Sequence, residues 1–279
     1  MRFGFGLGVS ADPPAATTTG APPAFSPADL PGLGYALHDW VRADGSGTLR
    51  GDPSGNAYTG GFTNTAAIEA AMAPGDAYFV SAWGNAGNQG RGAWTQATAI
   101  RQPELKLANS AAAINGKPTL KFGPADTFFS LQSFAGLTQA EVFVAVKLAS
   151  DPPPSNATAG LWILSSASAG WFPFPSEGNV YEGALSTTRR NIGNPAPSLA
   201  AMRVYGIVST PAEWTVRLDG AEFFTTGTNT FQAYTTPRVG ISNTGVALAG
   251  DLVEFILCAP LDATTRQQVV NYLTGRWQP

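Results

Sequence analysis

The run Trp214-Thr-Val-Arg-Leu-Asp-Gly220, followed by Phe223 and Phe224, narrows the fold of this chain more than any other segment. Trp214, Val216 and Leu218 alternate with polar positions, the pattern of a strand buried on one face. Asp219-Gly220 supplies the two positive-φ positions of a tight hairpin turn, which places Phe223 and Phe224 on a returning strand. Further strand-length runs recur at 35–41, 77–83, 119–122, 128–131, 142–148, 161–164, 180–184, 202–208, 238–242 and 252–258. Turn residues separate them, consistent with 32 glycines and 22 prolines in 279 residues. Repeated short strands of this kind indicate a β-sandwich or jelly roll. Residues 22–31 read as a Pro-punctuated linker, 44–47 as a turn and 84–92 as a Gly/Asn loop. The Ala-rich run 63–72, closed by Pro74-Gly75, predicts a short helix. A terminal helix starts at the N-cap Asp262, carries Val269, Val270, Leu273 and Trp277 on one face, and has Gly275 near its C-cap. No internal repeat is present.

Apolar residues make up 44% of the chain, enough for a sizeable core, and charged residues only 13%. The net charge is −3 with no basic run, which argues against a nucleic-acid partner. No apolar run approaches membrane-spanning length. The one cysteine, Cys258, excludes a disulfide within the chain and reads as a buried thiol in Phe255-Ile-Leu-Cys258. With one histidine (His38) and one cysteine, a His/Cys metal site is not expected. Asp44, Asp52 and Asn56 in a Gly-rich stretch read as turn residues rather than calcium ligands, and no cofactor is expected.

Residues 1–24 are rich in Gly, Pro and Thr, with Arg2 and Asp12 their only charges. Arg2, a short apolar stretch and Val9-Ser10-Ala11 allow a signal-peptide reading, although Gly4, Gly6 and Gly8 make a poor helical core for one. The alternative is an extended N-terminal arm that docks into a neighbouring chain through Met1, Arg2, Phe3, Phe5, Leu7 and Val9. The expected organisation is this arm (1–24) followed by one sandwich domain (25–279).

Several segments together resemble the concanavalin A-like (LamG-like) jelly-roll domains of bacteriophage structural and adhesion proteins. They are Val80-Ser-Ala-Trp83, Asn85-Ala-Gly-Asn88, Ala93-Trp-Thr-Gln96, Arg101-Gln-Pro-Glu-Leu105 and Asn115-Gly-Lys-Pro-Thr-Leu-Lys-Phe122. Glu177-Gly-Asn-Val-Tyr181 with Arg189-Arg190, the hairpin at 214–220 and the closing 263–277 continue the order. The chain departs from the family at Gly84-Asn-Ala-Gly87, where an Asp-Lys-Ser-Gly-like turn is usual, and in a longer 58–76 segment. The resemblance implies an all-β lectin-like sandwich with a short C-terminal helix on the exterior of a virion. It also implies partners among other virion proteins, reached through the arm, and a homo-oligomer, with a trimer favoured.

Catalytic signatures are sparse. A Ser-His-Asp arrangement would have to use His38, and no Gly-x-Ser-x-Gly motif accompanies it. Sandwich glycosidases carry clustered acids on one strand, close to Glu-x-Asp-x-x-Glu, and none occurs here; Asp219 and Glu222 belong to the hairpin turn. The expectation is therefore a protein that is not an enzyme. Binding has better candidates: Trp171, Phe172 and Phe174, then Glu177, Asn179, Tyr181, Arg189 and Arg190. Aromatic faces stack on sugar rings while amides and charges bond hydroxyls. The competing reading packs the three aromatic residues into the sandwich edge or another subunit. Two functions follow: a virion decoration, fibre or spike protein displaying a glycan- or host-binding sandwich, or a free secreted or surface lectin.

Overall fold

The computed structural model describes residues 24–50, 60–62, 65, 78–123, 126–155, 160–166, 172–173, 177–242 and 245–278. The docking residues Met1, Arg2, Phe3, Phe5, Leu7 and Val9 lie outside these, as does the helix expected at 63–72 apart from Thr65.

Among the described residues eighteen strands follow in chain order. The first six are β1 (Leu37–Arg42), β2 (Gly47–Arg50), β3 (Gly60–Phe62), β4 (Tyr78–Trp83), β5 (Trp94–Thr95) and β6 (Glu104–Lys106). Next come β7 (Thr119–Phe122), β8 (Phe129–Ser130), β9 (Ala140–Leu148), β10 (Trp162–Ile163), β11 (Phe172–Pro173) and β12 (Val180–Glu182). The last six are β13 (Arg190–Gly193), β14 (Arg203–Ser209), β15 (Trp214–Leu218), β16 (Ala221–Thr226), β17 (Arg238–Val239) and β18 (Gly250–Cys258). One α-helix, α1 (Ala263–Trp277), closes the chain.

Fifteen strands form one antiparallel sheet whose main path runs β10-β17-β8-β5-β4-β6-β7-β18-β9-β14-β15-β16. Strand β1 joins it against β18, and β2 and β3 join it beside β4. The sheet curls over itself into a sandwich. Trp94 on β5 meets Phe255 on β18 edge-on at 4.7 Å, and Trp162 on β10 lies 5.8 Å from Tyr205 on β14. None of these pairs are sheet neighbours, so the rings cross the gap between layers. The remaining strands, β11, β12 and β13, make a separate three-stranded sheet.

The central strands β9 and β18 are buried along almost their whole length, which is why they read as continuous apolar runs rather than alternating ones. Their inner faces meet the opposite layer, and their outer faces are covered by α1. The helix starts where Asp262 accepts a hydrogen bond from the Thr265 N–H at 2.8 Å, and it buries Val269, Val270, Leu273 and Trp277. It continues through Gly275, because burial of Trp277 requires the final turn; Gln278 is the cap. Two buried carboxylates of the sheet are tied to it. Glu254 accepts from the indole N–H groups of Trp40 at 2.6 Å and Trp277 at 2.7 Å, and Glu141 receives Arg266 at 2.5 and 3.0 Å.

The hairpin forms as its sequence dictates: Asp219 and Gly220 have φ of 50° and 85°, both left-handed, between β15 and β16. A Cβ at Gly220 would stand 3.1 Å from Val270 Cγ1, so the same residue lets the helix approach the turn. The expected linker at 22–31 behaves differently, running into a 3₁₀ turn at Pro27–Leu33. Ser26 and Asp29 cap it reciprocally, Pro27 suits its first position, and Leu30 enters the core. Cys258 is fully buried, and among the described residues no helix is long and apolar enough to cross a membrane.

Candidate functional site

Strand β12 places the candidate residues. Its period of two sends Val180 and Glu182 into the core, both with no exposed surface, and leaves Tyr181 half-buried at the surface. Glu182 fixes the strand by accepting four neutral donors. Trp162 Nε1 approaches its two oxygens at 3.3 and 3.2 Å, and the Tyr205 hydroxyl donates at 3.2 Å. The backbone N–H groups of Gly183 and Ala184 both donate to Oε1 at 2.8 Å. Burial outweighs these bonds and lifts the Glu182 pKa to about 7, while the same burial and the neighbouring carboxylate push the Tyr205 hydroxyl well above its usual value.

The outer side of this small sheet carries an aromatic and amide cluster. The Arg189 guanidinium lies 4.5 Å from the centre of the Tyr181 ring. Asn191, opposite Tyr181 in register, directs Nδ2 at the Tyr181 hydroxyl at 3.4 Å. Asn179 donates to the Glu177 carboxylate at 2.9 Å, and Asn194 donates to the Glu177 carbonyl at 2.9 Å, which closes the loop leading into β12. Phe172 stands opposite Tyr181 on β11. Trp171 and Phe174 lie outside the described residues.

Arg190 does not join this cluster. The strand alternation turns it to the other face, where its guanidinium sits 4.6 Å from the centre of the buried Trp214 ring. There it lines a cleft of about 350 Å³ with Thr188, Thr228, Asn229 and Thr230. A neighbouring cleft of about 380 Å³ shares Asn229 and Thr230 and adds Phe231, Leu137 and Pro211. The structure thus groups Glu177, Asn179, Tyr181 and Arg189 on one face and sets Arg190 apart on another. Sequence reasoning missed Asn191, Asn194 and Asn229. The two-residue period from Arg189 points to Asn191, but nothing local links Asn229 to a strand nearly forty positions earlier.

Other candidates have structural surroundings. Asp219 accepts from the Val204 N–H at 2.9 Å and from Arg203 at 3.0 Å, and Glu222 is an exposed partner of Arg217. His38 sits half-buried at the irregularity between β1 and β18, its pKa lowered by burial and then by the charge of Arg91. Asp44 pairs with Arg42 and Arg276, while Asp52 and Asn56 lie outside the described residues. Among the described residues no group of three or more His, Cys, Asp or Glu side chains could hold a metal ion.

The fold is the β-sandwich shared by carbohydrate-active domains. The chain is similar to a GH54 α-L-arabinofuranosidase variant soaked with 4-nitrophenyl α-L-arabinofuranoside, at 13% identity and a TM-score of 0.57, covering 91% of this chain and 66% of that one. It is similar also to an arabinofuranosidase complexed with arabinofuranosyl-α-1,2-xylobiose, at 13% identity and a TM-score of 0.59, covering 89% and 64%. This chain therefore spans slightly under two thirds of those proteins. By sequence it matches no protein-family model and no curated protein.

These neighbours overturn the expectation that the chain is not an enzyme. That expectation rested on the missing Glu-x-Asp-x-x-Glu strand. Glycosidase chemistry requires two carboxylates at a set separation, which can converge from separate strands, so the lack of one strand pattern excludes nothing in a fold that glycosidases use.

Proposed function

We propose that this chain is a carbohydrate-binding β-sandwich whose three-stranded sheet makes the sugar contacts. The observation that carries the reading is the surface of that sheet. A half-buried tyrosine has a guanidinium over its ring and an amide at its hydroxyl, on a strand anchored from beneath by Glu182. Such a surface offers an apolar face for a sugar ring and planar groups for its hydroxyls, on a support that needs little ordering when it binds. The shared fold with proteins crystallised with arabinofuranosides makes arabino- and xylo-oligosaccharides the first ligands to try. Titration calorimetry should show binding that Tyr181→Ala weakens at least tenfold without lowering the melting temperature. Unchanged affinity in that variant removes the sheet from the site.

The finer placement rests on the sequence resemblance. In this reading the sandwich is displayed on the exterior of a phage particle, held by residues 1–24 among other virion proteins and presented as a homo-oligomer, a trimer favoured. Deletion of residues 1–24 should leave a folded sandwich that no longer enters particles. Normal incorporation of the truncated chain would end the docking idea. A free lectin would instead bind glycans as a soluble monomer.

A second reading, hydrolysis of a glycosidic bond, is favoured by Glu182. Its pKa of about 7 suits a general acid, in a fold shared with α-L-arabinofuranosidases. The carboxyl group has no exposed surface, so a substrate reaches it only if Trp162 or Tyr205 moves aside. Release of 4-nitrophenol from the arabinofuranoside, abolished in Glu182→Gln, would support this reading; an equal rate in the variant would dismiss Glu182 from it.

A further inference from the structure

Arg190 is a half-buried cation with no anionic partner among the described residues. Each of its hydrogen-bond acceptors among the described residues is a neutral oxygen: Ser186 Oγ at 3.0 Å, the Thr188 carbonyl at 2.9 Å, the Thr228 carbonyl at 3.4 Å and Asn229 Oδ1 at 3.4 Å. Glu182 stands opposite Arg190 in register, yet its carboxyl group is turned to Trp162 and Tyr205. Burial alone holds the guanidinium below its usual pKa, with no opposing acidic charge. A partly desolvated arginine normally recovers the cost of burial from a carboxylate.

The guanidinium is nevertheless firmly placed. It lies over the Trp214 ring, whose indole N–H donates to the Ala184 carbonyl at 3.0 Å. Its Nη1 bonds have ordinary length, whereas both Nη2 contacts are long and leave that amine weakly satisfied. Nη2 reaches the Thr228 carbonyl and Asn229, which line the 350 Å³ cleft together with Thr188 and Thr230. The cleft falls within the range of about 300–1,000 Å³ usual for small-molecule sites. Asn229, shared with the adjoining cleft, is locked by donating to Ser209 Oγ at 2.9 Å and to the Thr210 carbonyl at 2.8 Å. Beyond it the lining turns apolar at Phe231, Leu137 and Pro211.

From these observations we infer that the Arg190 cleft is a subsite for the carboxylate of an acidic sugar, a uronate residue within an oligosaccharide. This deepens the carbohydrate-binding reading and rests on it. The carboxylate replaces the weak Nη2 contacts with a charge-assisted hydrogen bond, the threonine hydroxyls meet the sugar hydroxyls, and the apolar side receives the ring's C–H face. A neutral sugar would leave the cation as it is, so the subsite selects for charge.

The test uses uronate oligosaccharides, among them galacturonate, guluronate and glucuronoxylan fragments, each paired with its methyl ester, which removes the charge and keeps the shape. At least one acid should bind roughly tenfold or more tightly than its ester, in keeping with a hydrogen bond to a charged group. Added salt should erode that preference, and Arg190→Gln should abolish it. Because the ester comparison and the salt series use the unaltered protein, a poorly folded variant does not decide the matter; Thr230→Val, at an exposed position, is a second variant and should weaken both members of a pair alike. Equal binding of acid and ester in every pair, or a preference that survives in Arg190→Gln, overturns the subsite. Should neutral oligosaccharides bind and be lost in Tyr181→Ala while acids equal esters, the subsite falls and the platform stands. If the acid preference is found and lost in Arg190→Gln but Tyr181→Ala binds normally, the platform falls and the subsite stands. Failure of every saccharide to bind removes both.

Discussion

The carboxylates beneath helix α1 and the carboxylate beneath the three-stranded sheet are held in opposite ways. Under the helix, Glu141 receives Arg266 and Glu254 lies 3.4 Å from Arg276, so each buried negative charge has a cation. Under the small sheet, among the described residues, Glu182 has neutral donors only, and Arg190, its register partner, has neutral acceptors only. Two groups that stand opposite each other in register make their hydrogen bonds elsewhere. Internal pairing fixes a helix on a sheet but leaves no charge for anything outside the chain. Where pairing is withheld, the strand is held by dipoles and a cation remains at the surface for a ligand. The difference separates a face built for cohesion from one open to recognition.

The comparison breaks first at the helix if it is wrong. Glu141 is 1% exposed, and Arg266→Met would strand its charge. Loss of one member of a buried pair should lower stability by about 3–5 kcal/mol, read from urea midpoints at constant slope. A loss under about 1 kcal/mol would mean that the pair contributes no more than a surface one.

Next in size is the pH dependence carried by Glu182. Its folded pKa of about 7 lies above the ordinary glutamate value of 4.5, so folding favours the protonated form. The stability it contributes is complete below the unfolded pKa and is lost as pH rises through the folded one. Over that window the loss amounts to about 3 kcal/mol from this group. Burial also raises Asp39, Glu141, Asp251 and Glu254, which lean the same way. The difference between the wild type and Glu182→Gln isolates the one residue. Parallel pH curves for the two would show that Glu182 is already charged in the fold.

Gly220→Ala should cost about 1–2 kcal/mol, because φ of 85° is left-handed and the new methyl meets Val270. A variant as stable as the wild type would show that the helix does not press on the turn.

Much of the frame was legible because its signals are local. The Asp219-Gly220 turn, β7 at Thr119–Phe122 and β15 at Trp214–Leu218 follow from alternation and turn chemistry alone, as does the Asp262 cap. Strand β5 was not, since Trp94–Thr95 is two residues long and exists only through its partners β4 and β8. The candidate site divides the same way. Tyr181 and Arg189 stand out as an aromatic and a cation near each other in sequence. Glu182 does not, because a carboxylate between apolar neighbours reads as a surface residue until Trp162 and Tyr205 arrive from strands twenty or more positions away. Alternation separates Arg190 from Arg189, but that Arg190 lies over Trp214 needed the packing of the small sheet on β15, which no spacing supplies.

The smallest effect is the most discriminating. If Arg190 were a structural cation, its replacement by glutamine would cost as much as breaking the pair under the helix. Among the described residues it donates only to neutral oxygens, two of them at 3.4 Å and two at ordinary length on Ser186 and Thr188 close by in sequence. The variant thus loses two local hydrogen bonds and its stacking over Trp214. That contact is worth about 0.5–1 kcal/mol at a partly exposed position, and removing a desolvated charge offsets part of it. Arg190→Gln should therefore shift the urea midpoint by less than about 1 kcal/mol, several times less than Arg266→Met. A large loss would mean that Arg190 holds its loop to the sandwich, and the contrast between the two faces would then be one of partner chemistry rather than of purpose. A small loss would leave a half-buried cation that contributes almost nothing to folding. Retaining such a group makes physical sense where it meets an anion from outside the chain.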